Sequence, residues 1–313
     1  MICGRWFRRL ALVALATLLM LMPALAESLE ADGEDNRYLE NAWNYVDVSL
    51  DVSAGIPGDA AGVLADIREA GVLRVATEPY FPPQEFIDPD LTGQDSYAGA
   101  DMALARLIAE RMGVALQIVP MDFSEVLGAV SDGSCDLAVS ALSYTPGRVA
   151  QVTFSKGYYY AGSLSGSGLM IRAADSGIIT GVDSLKGRDI GAQSGSLQEA
   201  QMYENVFHYR QFRRMGSVQA LYNALMDGTI DAAMVDLGTG QDYIDSNPGC
   251  GLVMIPGVRF ILEEAFQGDR IAARKGEGEL IAFVNGVIDE VLSSGQYMAW
   301  YGEAAARANA LGL

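Results

Sequence analysis

The chain has 313 residues, half of them hydrophobic, enough for one large domain or two smaller ones with their own cores. It carries 21 Lys and Arg against 40 Asp and Glu, a net charge of −19. That balance excludes nucleic-acid binding through a basic surface and points to an acidic, soluble body.

The first 26 residues read as a secretory signal. Arg5, Arg8 and Arg9 form a basic start, residues 10–22 an apolar run, and Ala24-Leu25-Ala26 follows Pro23 as a small-residue cleavage site. The run is shorter than the roughly 20 residues that span a bilayer. Cleavage after Ala26 is therefore expected in preference to an uncleaved membrane anchor, giving a periplasmic or extracellular protein. Cys3 precedes the run, so it is not the lipidated cysteine of a lipoprotein. Loss of the three arginines takes the net charge from −19 to −22. Cys135 and Cys250 remain and can pair in an oxidising compartment. Two half-buried thiols are the expectation. His208 is the one histidine. A zinc site or Ser-His-Asp triad would rest on it alone, and it is read as a packing or surface residue.

Residues 27–62 form an acidic arm, extended, with Tyr38, Trp43 and Tyr45 as the part able to pack on the main body. Helices and strands then alternate. A short helix over 63–70 ends at Gly71, and a buried strand follows over 72–77. Pro79, Pro82 and Pro83 force a loop. Residues 100–112 form a helix closed by Gly113, and 114–119 a strand. Asp122-Phe-Ser-Glu125 resembles a capping box opening a helix over 126–131. The apolar strand 137–139 runs into Ser140, Ser143 and Thr145, a Pro-Gly turn and Arg148. A strand end, hydroxyls and one arginine fork suit an anion, a carboxylate above all. The Gly/Ser run 162–168 is the expected crossover between lobes. Beyond it come a strand over 188–193, a helix starting at Ser196, a helix over 217–226, and a strand over 230–235 ending at Asp236. Helices over 238–246, 280–292 and 296–301 complete the pattern, with a short strand inside 249–257. Such alternation argues for parallel sheets covered by helices. Ligands of these sheets sit beyond the carboxyl ends of strands, where Ser140 and Asp236 both lie.

The ordered segments Leu73-Arg-Val-Ala-Thr-Glu-Pro-Tyr-Phe-Pro-Pro83, Gly99-Ala-Asp101, Asp136 to Arg148, Gly191-Ala-Gln-Ser-Gly195 and Ala220 to Asp236 resemble the bacterial extracellular solute-binding proteins of family three. Those proteins serve polar amino-acid ABC transporters. The resemblance spans residues 63–301. It implies the two-lobed periplasmic-binding-protein type II fold, α/β, each lobe a mostly parallel sheet flanked by helices, with the ligand cleft between. One lobe would comprise 63–160 plus 259–313 and the other 161–258. The function implied is delivery of a free, polar L-amino acid to a membrane permease by a monomer, with no cofactor, metal or nucleic acid.

By the same resemblance Arg148 grips the ligand α-carboxylate, helped by Ser140, Ser143 and the backbone N–H groups near Ala141 and Ser143. Thr145 fixes the arginine loop through its hydroxyl. Asp236 takes the α-ammonium, although it also suits the N-cap of the next helix. Ser196 offers a hydroxyl and a helix N-terminus from the second lobe. Phe81 and Phe123 supply aromatic walls, with core packing as the plainer role for Phe123. Glu78 and Gln193 are candidate contacts to a polar side chain. Gln84, Ala100, Leu197 and Gln193 depart from the family's usual residues, so no named ligand transfers. The competing class is a secreted enzyme on this fold, such as a cyclohexadienyl dehydratase, which needs an acid or base in the cleft. A sensor input module would add a second membrane span and a signalling domain, and neither pattern is read here.

Overall fold

The computed structural model describes residues 45–162 and 165–313. The expected signal, the first part of the acidic arm and the centre of the Gly/Ser run lie outside the described residues. In chain order the strands are β1 (Val72–Thr77), β2 (Tyr80–Phe81), β3 (Glu85–Ile87), β4 (Tyr97–Ala98), β5 (Ala115–Pro120), β6 (Leu137–Ser143), β7 (Val152–Tyr159), β8 (Ser167–Arg172), β9 (Asp189–Gln193), β10 (Gln211–Met215), β11 (Ala232–Asp236), β12 (Leu252–Met254) and β13 (Asp269–Arg274). The helices are α1 (Gly62–Ala70), α2 (Ala100–Met112), α3 (Phe123–Ser131), α4 (Pro146–Val149), α5 (Leu197–Asn205), α6 (Val218–Met226), α7 (Leu237–Ser246), α8 (Gly278–Ser294) and α9 (Gln296–Leu311).

Two five-stranded sheets organise these elements, in the orders β5-β1-β6-β13-β7 and β10-β9-β11-β8-β12. In the first, β1 runs parallel to β5 and β6, while β13 runs antiparallel to β6 and β7. In the second, β9 runs parallel to β10 and β11, while β8 runs antiparallel to β11 and β12. The fold is thus mixed α/β and two-lobed, and each parallel portion is the product of strand–helix–strand units. Leu137, Ala138 and Val139 of β6 are fully buried, as are Met234 and Ala233 of β11, so both sheets are covered on both faces. The two connections between the sheets touch. Ser167 and Phe260 exchange N–H···O bonds of 2.8 Å, so the two connections run side by side.

Local rules explain the elements that carry the cleft. Helix α2 begins after Gly99, whose φ is 116° and where an added Cβ would sit 2.1 Å from the Gln84 carbonyl oxygen. Only glycine lets the helix start that close to the chain before it. Helix α3 begins at Phe123, three residues earlier than expected, and the Asp122 side chain makes no cap bond. The Asp122 carbonyl takes the Glu125 N–H instead, at 2.9 Å. The closing helix α9 runs ten residues past its expected end to Leu311. There Asn309 Nδ2 donates to Ser246 Oγ at 3.0 Å, tying the C-terminus to the second lobe. Cys135 and Cys250 are both free and belong to the cores of different lobes. His208 is exposed.

From Tyr45 onward the arm is part of the first lobe. Tyr45 bridges Phe154 in parallel, and Val46 and Leu50 donate backbone bonds to Phe154 and Ala282. Asn285, fully buried on α8, holds this segment. Its amide donates to the Val46 carbonyl at 2.7 Å and the Val48 carbonyl at 2.9 Å. Its Oδ1 accepts from the Lys156 N–H at 2.9 Å. Asn285→Ala orphans all three partners and is expected to cost about 2–4 kcal/mol, read as a lowered urea midpoint. An unchanged midpoint would mean the arm adds nothing to the fold.

Candidate functional site

The site grows out of the carboxyl end of β6. On a regular strand Ser140 and Ser143, three apart, point to opposite faces. Ala141 breaks the alternation. Its φ is 44°, a left-handed value for a non-glycine residue, of order 1 kcal/mol or more in strain. Opposite it the pairing register with β13 shifts between Arg270 and Ala272. This bulge places Ser140, Ala141 and Ser143 together on the wall of one cavity between the lobes. The distortion is held from behind by Asp101, in the first turn of α2 and fully buried. Its Oδ2 accepts from the Ala141 N–H at 3.0 Å and from Tyr158 Oη at 2.6 Å, and its Oδ1 from Tyr297 Oη at 2.7 Å.

That bracing corrects two expectations. The Ala141 N–H is spent on Asp101 and is not a donor for a ligand carboxylate. The Ser140 hydroxyl donates to Glu85 Oε1 at 3.0 Å and accepts from the Glu78 N–H at 3.1 Å. It therefore builds the wall rather than reaching into the cavity. Ser143 differs: among the described residues its hydroxyl has no hydrogen-bond partner, and it lines the cavity.

Arg148 sits on the one-turn helix α4. Here Thr145 works through its backbone, not its hydroxyl: its carbonyl accepts from the Arg148 and Val149 N–H groups, and its side chain caps nothing. Arg148 is 7% exposed. Nη1 donates to the Ser143 carbonyl at 2.8 Å, Nη2 to the Gly195 carbonyl at 3.1 Å, and the group lies 5.4 Å from the centre of the Phe123 ring. Burial lowers its pKa to about 10, with Asp269 acting in the opposite direction, so it stays cationic at neutral pH. Gly195 belongs to the second lobe, so the arginine already spans the cleft. Its remaining N–H groups are unassigned among the described residues.

The second lobe presents the start of α5 and the end of β11. Ser196 is the N-cap of α5. Its Oγ accepts from the Glu199 N–H at 3.0 Å and donates to the Gln193 carbonyl at 2.7 Å. The hydroxyl expected to meet the ligand is thus consumed by the cap. What α5 offers is its unpaired first-turn backbone, beside the lining residues Leu197 and Gln198. Asp236 caps α7, its Oδ1 accepting from the Gly238 and Thr239 N–H groups at 2.9 and 3.0 Å. The carboxyl also lines the cavity, and burial raises its pKa to about 6 against those two bonds. Cap and cavity wall are one residue's two roles.

Phe81, on β2, lines the cavity and packs against the second lobe's core, while Phe123 also packs against the first lobe's core. Gln193 and Gln84 are on the wall. Glu78 is not. It lies behind the wall, 1% exposed, and neither carboxyl oxygen has a well-formed hydrogen bond among the described residues, although Gln193 is near enough to hold its pKa down somewhat. Burial raises its pKa to about 7. Residues not singled out from sequence also line the space, among them Tyr159, Tyr301, Asp242 and Asp269. The cavity measures about 110 Å³, close to the ~150 Å³ that admits benzene in an engineered core, so it takes a small molecule. Arg148 is the one basic side chain among its lining residues, against the carboxyls of Asp236, Asp242 and Asp269. No helix among the described residues is long and apolar enough to cross a membrane.

A model of the bacterial extracellular solute-binding proteins, family 3, matches residues 73–303. An arginine-binding extracellular protein of Bacillus subtilis is 30% identical over 203 residues, which cover 64% of this chain and 75% of the relative. An L-cystine-binding protein of Escherichia coli is 25% identical over 245 residues, 77% of this chain and 86% of the relative. Among solved structures, an amino acid ABC transporter substrate-binding protein of Streptococcus pneumoniae bound to L-arginine superposes with a TM-score of 0.68 at 26% identity. That match covers 78% of this chain and 98% of the pneumococcal one.

Proposed function

The chain belongs to the bacterial extracellular solute-binding proteins, family 3, a family whose relatives here bind amino acids rather than transform them, and from that premise we propose that it captures a free, polar L-amino acid and hands it to an ABC permease. It would do so as a monomer outside the cytoplasmic membrane, after its signal is removed. The observation that carries this reading is a pair on one cavity. A buried arginine from the first lobe and a helix-capping aspartate from the second face the same 110 Å³ space. A cation from one lobe and an anion from the other, on one cleft, suit the two charges of a zwitterion.

In this reading Arg148 holds the α-carboxylate with its spare N–H groups, joined by Ser143 and the first-turn N–H groups of α5. Asp236 accepts from the α-ammonium. Phe81, Phe123, Gln193 and Gln84 surround the side chain. Because the two ends of the ligand are held by different lobes, binding energy is spent on keeping the lobes closed. The relatives named above bind different amino acids, so the side chain is not carried over from them.

Ligand at about 100 times its Kd adds about 2.7 kcal/mol to stability, some 5 °C or more in Tm for a chain of this size. A thermal-shift panel of the twenty L-amino acids is expected to give one narrow group with that shift; a flat panel would remove the proposal. The enzyme reading has two carboxyls behind it, Glu78 and Asp236, whose pKa values burial raises to about 7 and about 6, values suited to acid–base work. Since Glu78 does not reach the cavity wall and Asp236 is engaged as the cap of α7, the binding reading is preferred. Turnover of prephenate or arogenate by the purified protein would reverse that preference.

A further inference from the structure

The cavity wall holds two carboxyls more than a zwitterion's head group needs, the exposed Asp242 and Asp269. If Arg148 answers the ligand carboxylate and Asp236 its ammonium, Asp269 is left over. It stands at the first position of β13, paired across the sheet with Ser143 on one side and Tyr159 on the other. Both neighbours line the same space, so its place on the wall is fixed by strand register and not by a mobile loop. The other acids nearby lie behind the wall or at its rim. Asp101 is answered by two tyrosine hydroxyls and a backbone N–H, Glu85 takes the Ser140 hydroxyl, and Asp242 is exposed at the rim.

We propose that Asp269 is a specificity-determining, ligand-facing carboxylate, and that it selects amino acids carrying a second protonated nitrogen over those with neutral or acidic side chains. This rests on the amino-acid-binding reading and names the class of side chain that the reading left open. The physical reason is compensation. A carboxylate in a part-dry cleft without a cation is unstable, so it keeps a proton or borrows a cation from what binds. The titratable groups whose charges act on Asp269 are Asp101, Asp236, Glu85, Tyr158, Tyr159 and Tyr297, with Arg148 the one cation among the described residues and Gln84 a hydrogen-bond partner. Burial first, then Asp101 and Asp236, push its pKa well above the usual carboxylate range, and Arg148 and Gln84 only partly oppose them. The empty cleft therefore favours the protonated form of Asp269. A ligand's second ammonium or guanidinium displaces that proton, which leaves for solvent. A neutral side chain does not.

The test compares L-lysine with L-norleucine, the same chain without the terminal nitrogen, by titration calorimetry near pH 7 in buffers of different ionisation enthalpy. L-Lysine is expected to bind about tenfold or more tighter and to release a proton on binding that L-norleucine does not. Asp269→Asn is expected to shrink the lysine-to-norleucine preference by about tenfold and to abolish the proton release; Asp269→Glu restores part of the preference. An undiminished preference in Asp269→Asn, or equal proton release by both ligands in the unaltered protein, overturns the proposal. The second measurement needs no variant, so it decides the matter even if the substituted chain folds poorly. If no free amino acid binds at all, the amino-acid reading has failed; if amino acids bind without regard to the second nitrogen, only the assignment of Asp269 has.

Discussion

Replacing Arg148 with alanine is expected to weaken amino-acid binding by about 30-fold to several thousandfold while the fold survives. The range follows from truncating one member of a charge pair in a desolvated site, which costs about 2–5 kcal/mol because the partner's charge is left unanswered. The residue is 7% exposed, yet within the protein its side chain bonds only to the Ser143 and Gly195 carbonyls. Among the described residues no acidic side chain forms an ion pair with it, so its charge is available to something that enters the cavity. Lysine at this position keeps the charge but loses the planar fork, and an intermediate affinity is expected. Calorimetric titration measures the loss, and a urea midpoint close to that of the unaltered protein shows that the lobes still fold. Affinity within twofold of the starting value would reduce Arg148 to a structural residue that links two carbonyls.

The second large effect is expected from Asp236→Asn. Asparagine is as good an N-cap as aspartate, so the bonds from Gly238 and Thr239 to Oδ1 persist and α7 is preserved. What disappears is the negative charge opposite the ligand ammonium. A loss of about 30-fold or more in affinity is expected, again from an unpaired charge in a desolvated site, with little change in stability. Asp236→Ala removes cap and charge together and should add a stability loss of about 1 kcal/mol. The comparison separates the residue's two roles. Acidification gives the same answer without a mutation. In the empty cleft, burial places the Asp236 pKa at about 6. An ammonium beside it favours the ionised form, so the complex has the lower pKa. For a ligand without a second protonated nitrogen, which leaves the Asp269 proton in place, affinity is therefore level above about pH 6 and falls up to tenfold per unit below it, until the lower value is reached. The acid-side fall should be absent in Asp236→Asn. If it persists there, another group controls it.

The parts of this molecule legible in its sequence are those set by local pattern. Helix α2 was closed by Gly113, and β11 was bounded by its run of apolar residues into Asp236, because glycine punctuation and burial on both faces leave a trace in neighbouring residues. The helix at Ser196 was read from the same kind of cap. The cost of that success is that the cap consumes the hydroxyl which the resemblance had offered to a ligand. Strand β13 left no comparable trace. Asp-Arg-Ile-Ala-Ala-Arg is short, charged at both ends and β-branched at one position, and it is a strand because β6 and β7 close on either side of it. Asp269 was missed with it. The bulge at Ala141 was equally invisible. Its strained φ is stabilised by Asp101, 40 residues away in the chain, and by tyrosines from β7 and α9. The Ala141 N–H and the Ser140 hydroxyl were expected to face the cavity and instead face that scaffold. A strand-end serine pattern carries the same letters in either case, and only the distant partners decide which way the donors turn.

The claim that one cleft clamps both ends of a zwitterion is tested most directly by editing the ligand rather than the protein. An L-amino acid that stabilises the chain in the thermal panel should be titrated beside its α-amide, which lacks the carboxylate, and its N-acetyl derivative, which lacks the ammonium. Loss of at least about 100-fold in affinity for both derivatives is the expected result, since each leaves Arg148 or Asp236 buried without a partner. Retention of affinity by either derivative would contradict the clamp, and would show that the cleft holds its ligand by some other part.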